Sequence, residues 1–373
     1  MATRTMDPVT HTLVGASLGA TRLGQRTRYA IPALVIGANL PDIDVASYFA
    51  GGDFALGFRR GWTHGVLALV LLPALLALAF LLLDRVRRGK AETDRRLEVG
   101  WLFGLCYLAT LTHPFLDWLN TYGMRWWMPF SDTWYYGDSV FIMDPWLWLM
   151  LGGGWLIGRR ATWRLVTVLV SVSALLVTVV FSRAPGYLPA VLVILVPLSL
   201  ALFWRPPPGS QSPQKAAIAG LSAASLFIAF MLLVHQATER RVLDQLEQLD
   251  PAPVESLMVG PVPANPARWE FVVEQRERLR HGQFDWIGDR SVAFTGFDRP
   301  VAQSSDLWPD IEDSGQSRGF LSWVRFPWIE VAPDPSASRL HIMDARYSRR
   351  RTDGFGGTAI TLPAETDGGE SRN

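Results

Sequence analysis

Six stretches of this chain, 62–83, 99–119, 141–158, 163–182, 187–204 and 216–235, are nearly free of charge. Each runs for about 17 to 23 residues, enough for a helix to cross a hydrocarbon core of about 30 Å. Nothing else in the sequence restricts the fold so severely. Backbone in lipid must satisfy its own hydrogen bonds, and for segments of this length that leaves helices. The composition agrees, with 49% of the 373 residues hydrophobic and 18% charged. Two earlier apolar runs, 11–21 and 29–40, would reach only about 17–18 Å each. They are expected as short re-entrant or half-buried helices packed on protein.

Charge in the connections gives an orientation. The segments "DRVRRGKAETDRR", "GRRATWR" and "RPPPGSQSPQK", after the first, third and fifth spans, are rich in Lys and Arg and are expected on the cytoplasmic side. The start of the first span, the end of the second, the loop 120–140 and everything after 235 then face outward. Arg59 and Arg60 run against this assignment.

Beyond residue 235 the pattern changes. "QATERRVLDQLEQLD" reads as an amphipathic helix with Val242, Leu246 and Leu249 along one face, stopped by "PAPV". From about 255, alternating runs such as "RWEFVVEQ" and "SRLHIMDARYS" between Gly and Pro clusters predict short half-buried strands. The expected fold class is therefore mainly α. A polytopic helical membrane domain (1–235), with six spans and two short N-terminal helices, leads through a connecting helix and linker (236–254) into a small β-rich extramembrane domain (255–363). A disordered tail (364–373) follows. A net charge of +1 gives no global electrostatic reason to expect nucleic acid as a partner. The single cysteine, Cys106, excludes an intrachain disulfide and a thiolate metal cluster.

The chemistry gathers in the first third. "TLTHPFLDWLNTYG" places His113 and Asp117 four residues apart, about 6 Å on one helix face and close enough to share an ion. Pro114 predicts a kink or a helix restart there. In "NLPDID", Pro41 favours extended backbone before it, which would align Asp42 and Asp44 on one side, both able to reach a cation at about 2.0–2.2 Å. "RRGWTHGVLAL" sets His64 at the first turn of a span, and in "DPVTHTLVGASLG" His11 opens a Gly- and Ala-rich segment. Singly, each has an ordinary reading: a histidine–aspartate clasp on a kink, a solvated turn, an interfacial histidine. Under the topology above Asp42, Asp44, His64, His113 and Asp117 converge on one membrane face, joined by His11 if its segment runs inward, and ionisable groups there mark a functional site. His235, His281 and His341 have no metal-ligand spacing around them.

The phrases "DPVTHTLVG", "PDID", "RGWTHG" and "HPFLDWLNTYG", taken together, resemble the YdjM-type family of bacterial inner-membrane-associated, metal-dependent hydrolases. "WWMPFSDTWYYGDSVFIMDPWLW" and "FLSWVRFPW" look like its longer members with an appended C-terminal domain. The resemblance implies a hydrolase of the inner membrane with a metal site carried by His11, Asp42, Asp44, His64, His113 and Asp117. The ligand order is also similar to zinc-dependent phospholipase C, but this chain has no histidine between 113 and 235. That departure disfavours a three-metal cluster and leaves one or two ions, with Asp132, Asp138 or Asp144 as further acidic candidates.

A ligand set of nitrogen and oxygen suits Zn²⁺ first, with Mn²⁺ or Fe²⁺ as alternatives. Such an ion lowers the pKa of its water to about 7 for attack on an ester or phosphoester. Asp42 or Asp44 would serve as general base, or orient a ligating histidine. Asn120, Tyr122 and Arg125 would position an anionic substrate. A site at headgroup level points to the bilayer as partner and to a lipid as substrate, with the C-terminal domain on the periplasmic side. Two other classes stand beside this one: a transporter, and a non-catalytic anchor for the C-terminal domain.

Overall fold

The computed structural model describes residues 7–87, 95–157, 213–331, 338–349 and 356–362. The expected spans 163–182 and 187–204 lie outside these residues. Two compact units interleave along the chain. The first comprises 1–46, 59–239 and 260–269, and the second 47–58, 240–259 and 270–373.

The first unit is helical. Helix α1 (Pro8–Ala20) starts where sequence chemistry dictates: the Asp7 carboxylate accepts from the Val9 and Thr10 amides, and Pro8 fills the first helical position. A 3₁₀ turn (Arg22–Gln25) leads to α2 (Ala30–Gly37), followed by an eleven-residue 3₁₀ helix, Leu40–Ala50. Helices α4 (Val66–Arg87) and α5 (Val99–Trp118) follow α3 (Gly52–Phe58), which belongs to the second unit. Next come α6 (Pro145–Ile157) and the 37-residue α7 (Pro213–Leu249).

Among the described residues, three helices, α4, α5 and α7, are long and apolar enough to cross a membrane. The pair Ala30–Gly37 and Leu40–Ala50, bent by 44°, would make a fourth span if counted as one. The expected span at 141–158 appears within the described residues as the 13-residue α6, only about 20 Å long. Helix α4 has lipid-facing character. Leu67, Val70, Leu71, Leu75, Leu78 and Leu82 are exposed, which in water would be a large apolar patch.

Small residues hold α1, α2 and α5 together. Ala30 and Leu34 of α2 and Ala38, which caps it, pack with Leu105 and Ala109 of α5, while Ala33 packs with Ala77, Phe80, Leu102 and Cys106. Close approach by small side chains is the usual way helices associate where lipid removes the hydrophobic drive. At Gly15 a Cβ would stand 2.5 Å from the Leu34 carbonyl oxygen, so only glycine lets α1 lie this close to α2. Helix α5 runs through Pro114 without the restart that its sequence predicts.

Helix α7 continues past the apolar segment to Leu249, so the expected connecting helix is part of one long element. Val242 and Leu246 are buried as their spacing predicts, while Leu249 is exposed. The strands that follow confirm the β-rich reading. A four-stranded sheet has the order β1 (Ser256–Val262), β2 (Asn265–Gln275), β3 (Arg278–Asp285), β4 (Ala293–Pro300). A three-stranded antiparallel sheet joins β5 (Pro327–Val331), β6 (Ser338–Asp344) and β7 (Gly357–Leu362). Met258, Val272, Leu279, Phe297, Phe326, Trp328 and Met343 form their shared core. Residues 47–58, which the sequence places inside the helical domain, also belong to this unit. The Asp53 carboxylate accepts from the Gly319 and Phe320 amides at 3.1 and 2.8 Å.

Two expectations follow. Gly15→Ala pushes a methyl into backbone that cannot yield, and overpacking of this kind costs about 1–3 kcal/mol. The thermal midpoint of the detergent-solubilised protein should fall, and an unchanged midpoint would contradict the close packing. In the β unit, burial alone would raise the Glu270 carboxyl, but His281, Arg349 and Gln283 outweigh it and hold it at about 2. A depressed carboxyl stabilises the fold above its ordinary range, and that contribution is lost as pH falls through the folded value. Hydrogen exchange in β3, corrected for the intrinsic pH effect, should therefore rise between about pH 4.5 and pH 2. Glu270→Gln should flatten this rise.

Candidate metal centre

The cluster is built from the ends of four elements. His11 comes from the first turn of α1, and Asp42 and Asp44 from the 3₁₀ helix that α2 leads into. His64 lies in the turn before α4, and His113 and Asp117 in the last turns of α5. One ligand atom from each of Asp42, His64, His113 and Asp117 lies within 4.8 Å of the other three. His64 Nε2 stands 3.2 Å from Asp117 Oδ2, and His113 Nε2 is 3.5 Å from both Asp117 Oδ2 and Asp42 Oδ1. Ligands about 2.1 Å from one tetrahedral ion would be about 3.4 Å apart.

These approaches have ion-pair distances but not hydrogen-bond geometry. Among the described residues, Asp42 Oδ1, His64 Nε2, His113 Nε2 and Asp117 Oδ2 are buried atoms without a hydrogen-bond partner. Four orphaned polar atoms facing one another are costly, because burying a polar group without compensation carries a desolvation penalty. A divalent cation would satisfy all four at once. The residues present therefore fit a metal with nitrogen and oxygen preference.

Each histidine is aimed by its other nitrogen. His113 Nδ1 lies 2.7 Å from the Ala38 carbonyl oxygen, which directs Nε2 into the cluster. His64 Nδ1 lies 3.0 Å from Thr63 Oγ1 and 3.4 Å from Asp44 Oδ2, which does the same. Such outer partners fix the tautomer and ring orientation of ligating histidines.

Asp42 and Asp44 do not share a direction. The extended segment expected around Pro41 is instead 3₁₀ helical, and at three residues per turn positions i and i+2 point far apart. Asp42 enters the cluster. Asp44, 2% exposed, accepts from Arg59 Nε at 3.2 Å, from the Arg60 amide at 3.0 Å and from Thr63 Oγ1 at 3.2 Å. His11 flanks the group, stacked on His113 with 3.7 Å between ring centroids and its Nε2 3.4 Å from Asp117 Oδ1.

The three residues read as substrate contacts hold the Arg59–Arg60 turn. Asn120 Oδ1 accepts from Arg60 Nη1 and the Tyr122 amide, both at 2.9 Å. The Tyr122 ring lies under the Arg60 guanidinium at 4.5 Å. Arg125 donates its amide to the Arg60 carbonyl at 2.8 Å and Nη2 to the Arg59 carbonyl at 3.1 Å. All three are buried. The loop beyond them caps α5, with Gly137, Ser139 and Val140 amides donating to the Trp118 and Leu119 carbonyls. Asp132, Asp138 and Asp144 lie outside the four-residue group. His281 instead meets Thr295 and Glu270 in the β unit.

Arg60 is what the sequence reading missed. It is 1% exposed and donates from Nη2 to Asp117 Oδ1 at 2.9 Å. The one available signal was that Arg59 and Arg60 violated the charge bias of the loops. Both are buried against carboxylates, Arg59 on Asp44 and Arg60 on Asp117.

Fold and site together define a membrane protein with apolar spanning helices and a buried His/Asp group suited to a metal. Residues 6–185, just under half of the chain, match the family model described as YdjM inner membrane protein. Over those residues the chain is similar to the YdjM inner membrane protein family. It is also 27% identical over 156 residues to the "Uncharacterized protein YfhP" of Bacillus subtilis strain 168, a match covering 39% of this chain and 43% of that protein. The chain thus spans less than half the length of that relative. No solved structure matches it.

The two aspartates of the 3₁₀ helix should separate in experiment. His113→Ala or Asp42→Ala should abolish metal binding by isothermal titration. Asp44→Asn, which touches only the supporting layer, should weaken it by about 10–100-fold. Equal losses from Asp42 and Asp44 variants would show that the division is wrong.

Proposed function

We propose that this protein is a membrane-embedded, metal-dependent hydrolase acting on an ester or phosphoester of a lipid. The observation that carries the reading is the convergence of four buried, unpartnered donor atoms from Asp42, His64, His113 and Asp117. A bound divalent ion supplies a water whose pKa is lowered to about 7 and a Lewis acid for the scissile group. Zinc is the first candidate by ligand type. Four protein ligands close a tetrahedral zinc site, whereas a catalytic site keeps a position open. The Asp42 side chain is 16% exposed, against 0 to 4% for the other three, so it is the group of the four that would accept a proton from water as general base. Asp44 positions His64 and the Arg59–Arg60 turn.

Location supports a lipid substrate. Ile43 and Val45, which alternate with the two aspartates, are each 57% exposed, and Trp62, two residues before His64, is 50% exposed. An apolar rim beside a metal group suits a substrate that stays in the bilayer, with Trp127, 54% exposed, as an interfacial anchor. The C-terminal unit is proposed on the periplasmic side of a bacterial inner membrane. A transporter would gather its polar groups near the middle of its spans. Here His113 and Asp117 fall in the last turns of α5. A non-catalytic anchor would leave the four orphaned atoms without a purpose.

The test uses full-length protein in detergent. Metal content should be stoichiometric as purified and be removed by chelation. A screen of phosphodiesters, phosphomonoesters and carboxylic esters, each in lipid and water-soluble form, should reveal an activity that the chelated protein loses and added metal restores. Background metal content in the wild type, or activity unchanged in His113→Ala, would refute the assignment.

A further inference from the structure

Hydrolases with two metals hold them about 3.5–4 Å apart, commonly through a carboxylate that gives one oxygen to each ion. Asp117 is placed to be that carboxylate. Its Oδ2 faces His64 and His113, and its Oδ1 faces His11 Nε2 at 3.4 Å. Asp117 Oδ1 and His11 Nε2 are the pair on which a second ion would sit. A cation is already there, because Arg60 Nη2 lies 2.9 Å from the same Oδ1.

Arg60 is fixed on every side. Its amide donates to Asp44 Oδ2 at 3.0 Å, its Nη1 to Asn120 Oδ1 at 2.9 Å, and its carbonyl accepts from the Arg125 amide at 2.8 Å. The Tyr122 ring covers the guanidinium at 4.5 Å. Its backbone lies in the left-handed region, with φ of 50°, a conformation that side-chain-bearing residues rarely adopt. Strained conformations of this kind persist where the surroundings over-determine them and cluster at functional sites. Here the left-handed turn lets one residue bind Asp44 with its backbone and Asp117 with its side chain.

We infer that Arg60 is a built-in cation standing in the place of a second metal ion, so that the site holds one divalent ion and Asp117 serves it through Oδ2 alone. This rests on the metal-site reading above and adds the ion count and the role of Arg60. In a buried site, a divalent ion on Oδ1 would face the guanidinium at short range with little screening. A planar guanidinium suits the position better than an ammonium, since it serves Asp117 and Asn120 from two nitrogens at once. Arg60 is thus a positioning residue, acting through Asp117.

Mn²⁺ binding to the full-length protein in detergent, read by titration and by electron paramagnetic resonance, tests this without relying on activity. The wild type should bind one ion per chain and give an uncoupled Mn²⁺ spectrum. Arg60→Met, checked for folding by circular dichroism, should change the affinity for the first ion at least tenfold. It should also acquire a second, weaker equivalent that broadens the signal by exchange and is lost on adding His11→Ala. Arg60→Lys should bind a single ion. Two ions per wild-type chain with a coupled spectrum would overturn the inference while leaving the metal site standing. A folded Arg60→Met that still binds one ion with unaltered affinity would overturn it too. No binding by the wild type would remove the metal site itself. If Arg60→Met does not fold, the wild-type stoichiometry and spectrum decide.

Discussion

A carboxylate in the penultimate position of an apolar helix, 3% exposed, has to be stabilised by what surrounds it. Asp117 meets that requirement with cations and imidazoles from three other parts of the chain: Arg60 at 2.9 Å, His64 at 3.2 Å and His11 at 3.4 Å, besides His113 one turn earlier on its own helix. The rest of the helical unit follows from this. The α1–α2 contact at Gly15 sets His11 in place, the α2–α5 packing brings the Ala38 carbonyl to His113, and the loop after α5 returns to hold Arg60. A buried charge left without its partners costs several kcal/mol, so these contacts select one arrangement of the helices.

Partner charges do not complete the arrangement. Asp44 and Asp117 Oδ1 are matched by arginines, but Asp42 Oδ1, Asp117 Oδ2 and two imidazole nitrogens meet only one another. A purely structural network would be expected to satisfy its own members, since half-satisfied buried networks lose stability. Among the buried atoms of the described residues that lack a hydrogen-bond partner, these four are the ones that gather about a common centre. Structural cost and chemical capacity coincide there, as is usual where a fold keeps polar groups buried for a function.

Much of this was legible in the residues. Charge-free runs fixed the membrane class, alternation after 255 gave the strands, and the spacing of His113 and Asp117 placed two ligands on one face because a helix has a fixed period. The 3₁₀ segment was not legible. Pro41 favours extended backbone before it, and only the helical turn that follows shows why Asp42 and Asp44 part ways. Loop-charge statistics assume solvent around a charge, whereas tertiary contacts bury Arg59 and Arg60. Asn120, Tyr122 and Arg125 lay near the site as their position after Asp117 implied, yet their partners are the arginine turn, a contact about sixty residues away along the chain that no local pattern encodes. The inclusion of 47–58 in the β unit has the same character, depending on Asp53 meeting Gly319 and Phe320.

X-ray absorption at the edge of the ion bound to full-length protein tests the central claim most directly. The account predicts a shell made only of nitrogen and oxygen at about 2.0–2.2 Å, with outer-shell scattering from two imidazoles that falls to one in His64→Ala. A shell of water oxygens without imidazole scattering, or one containing sulfur from Cys106, would contradict it.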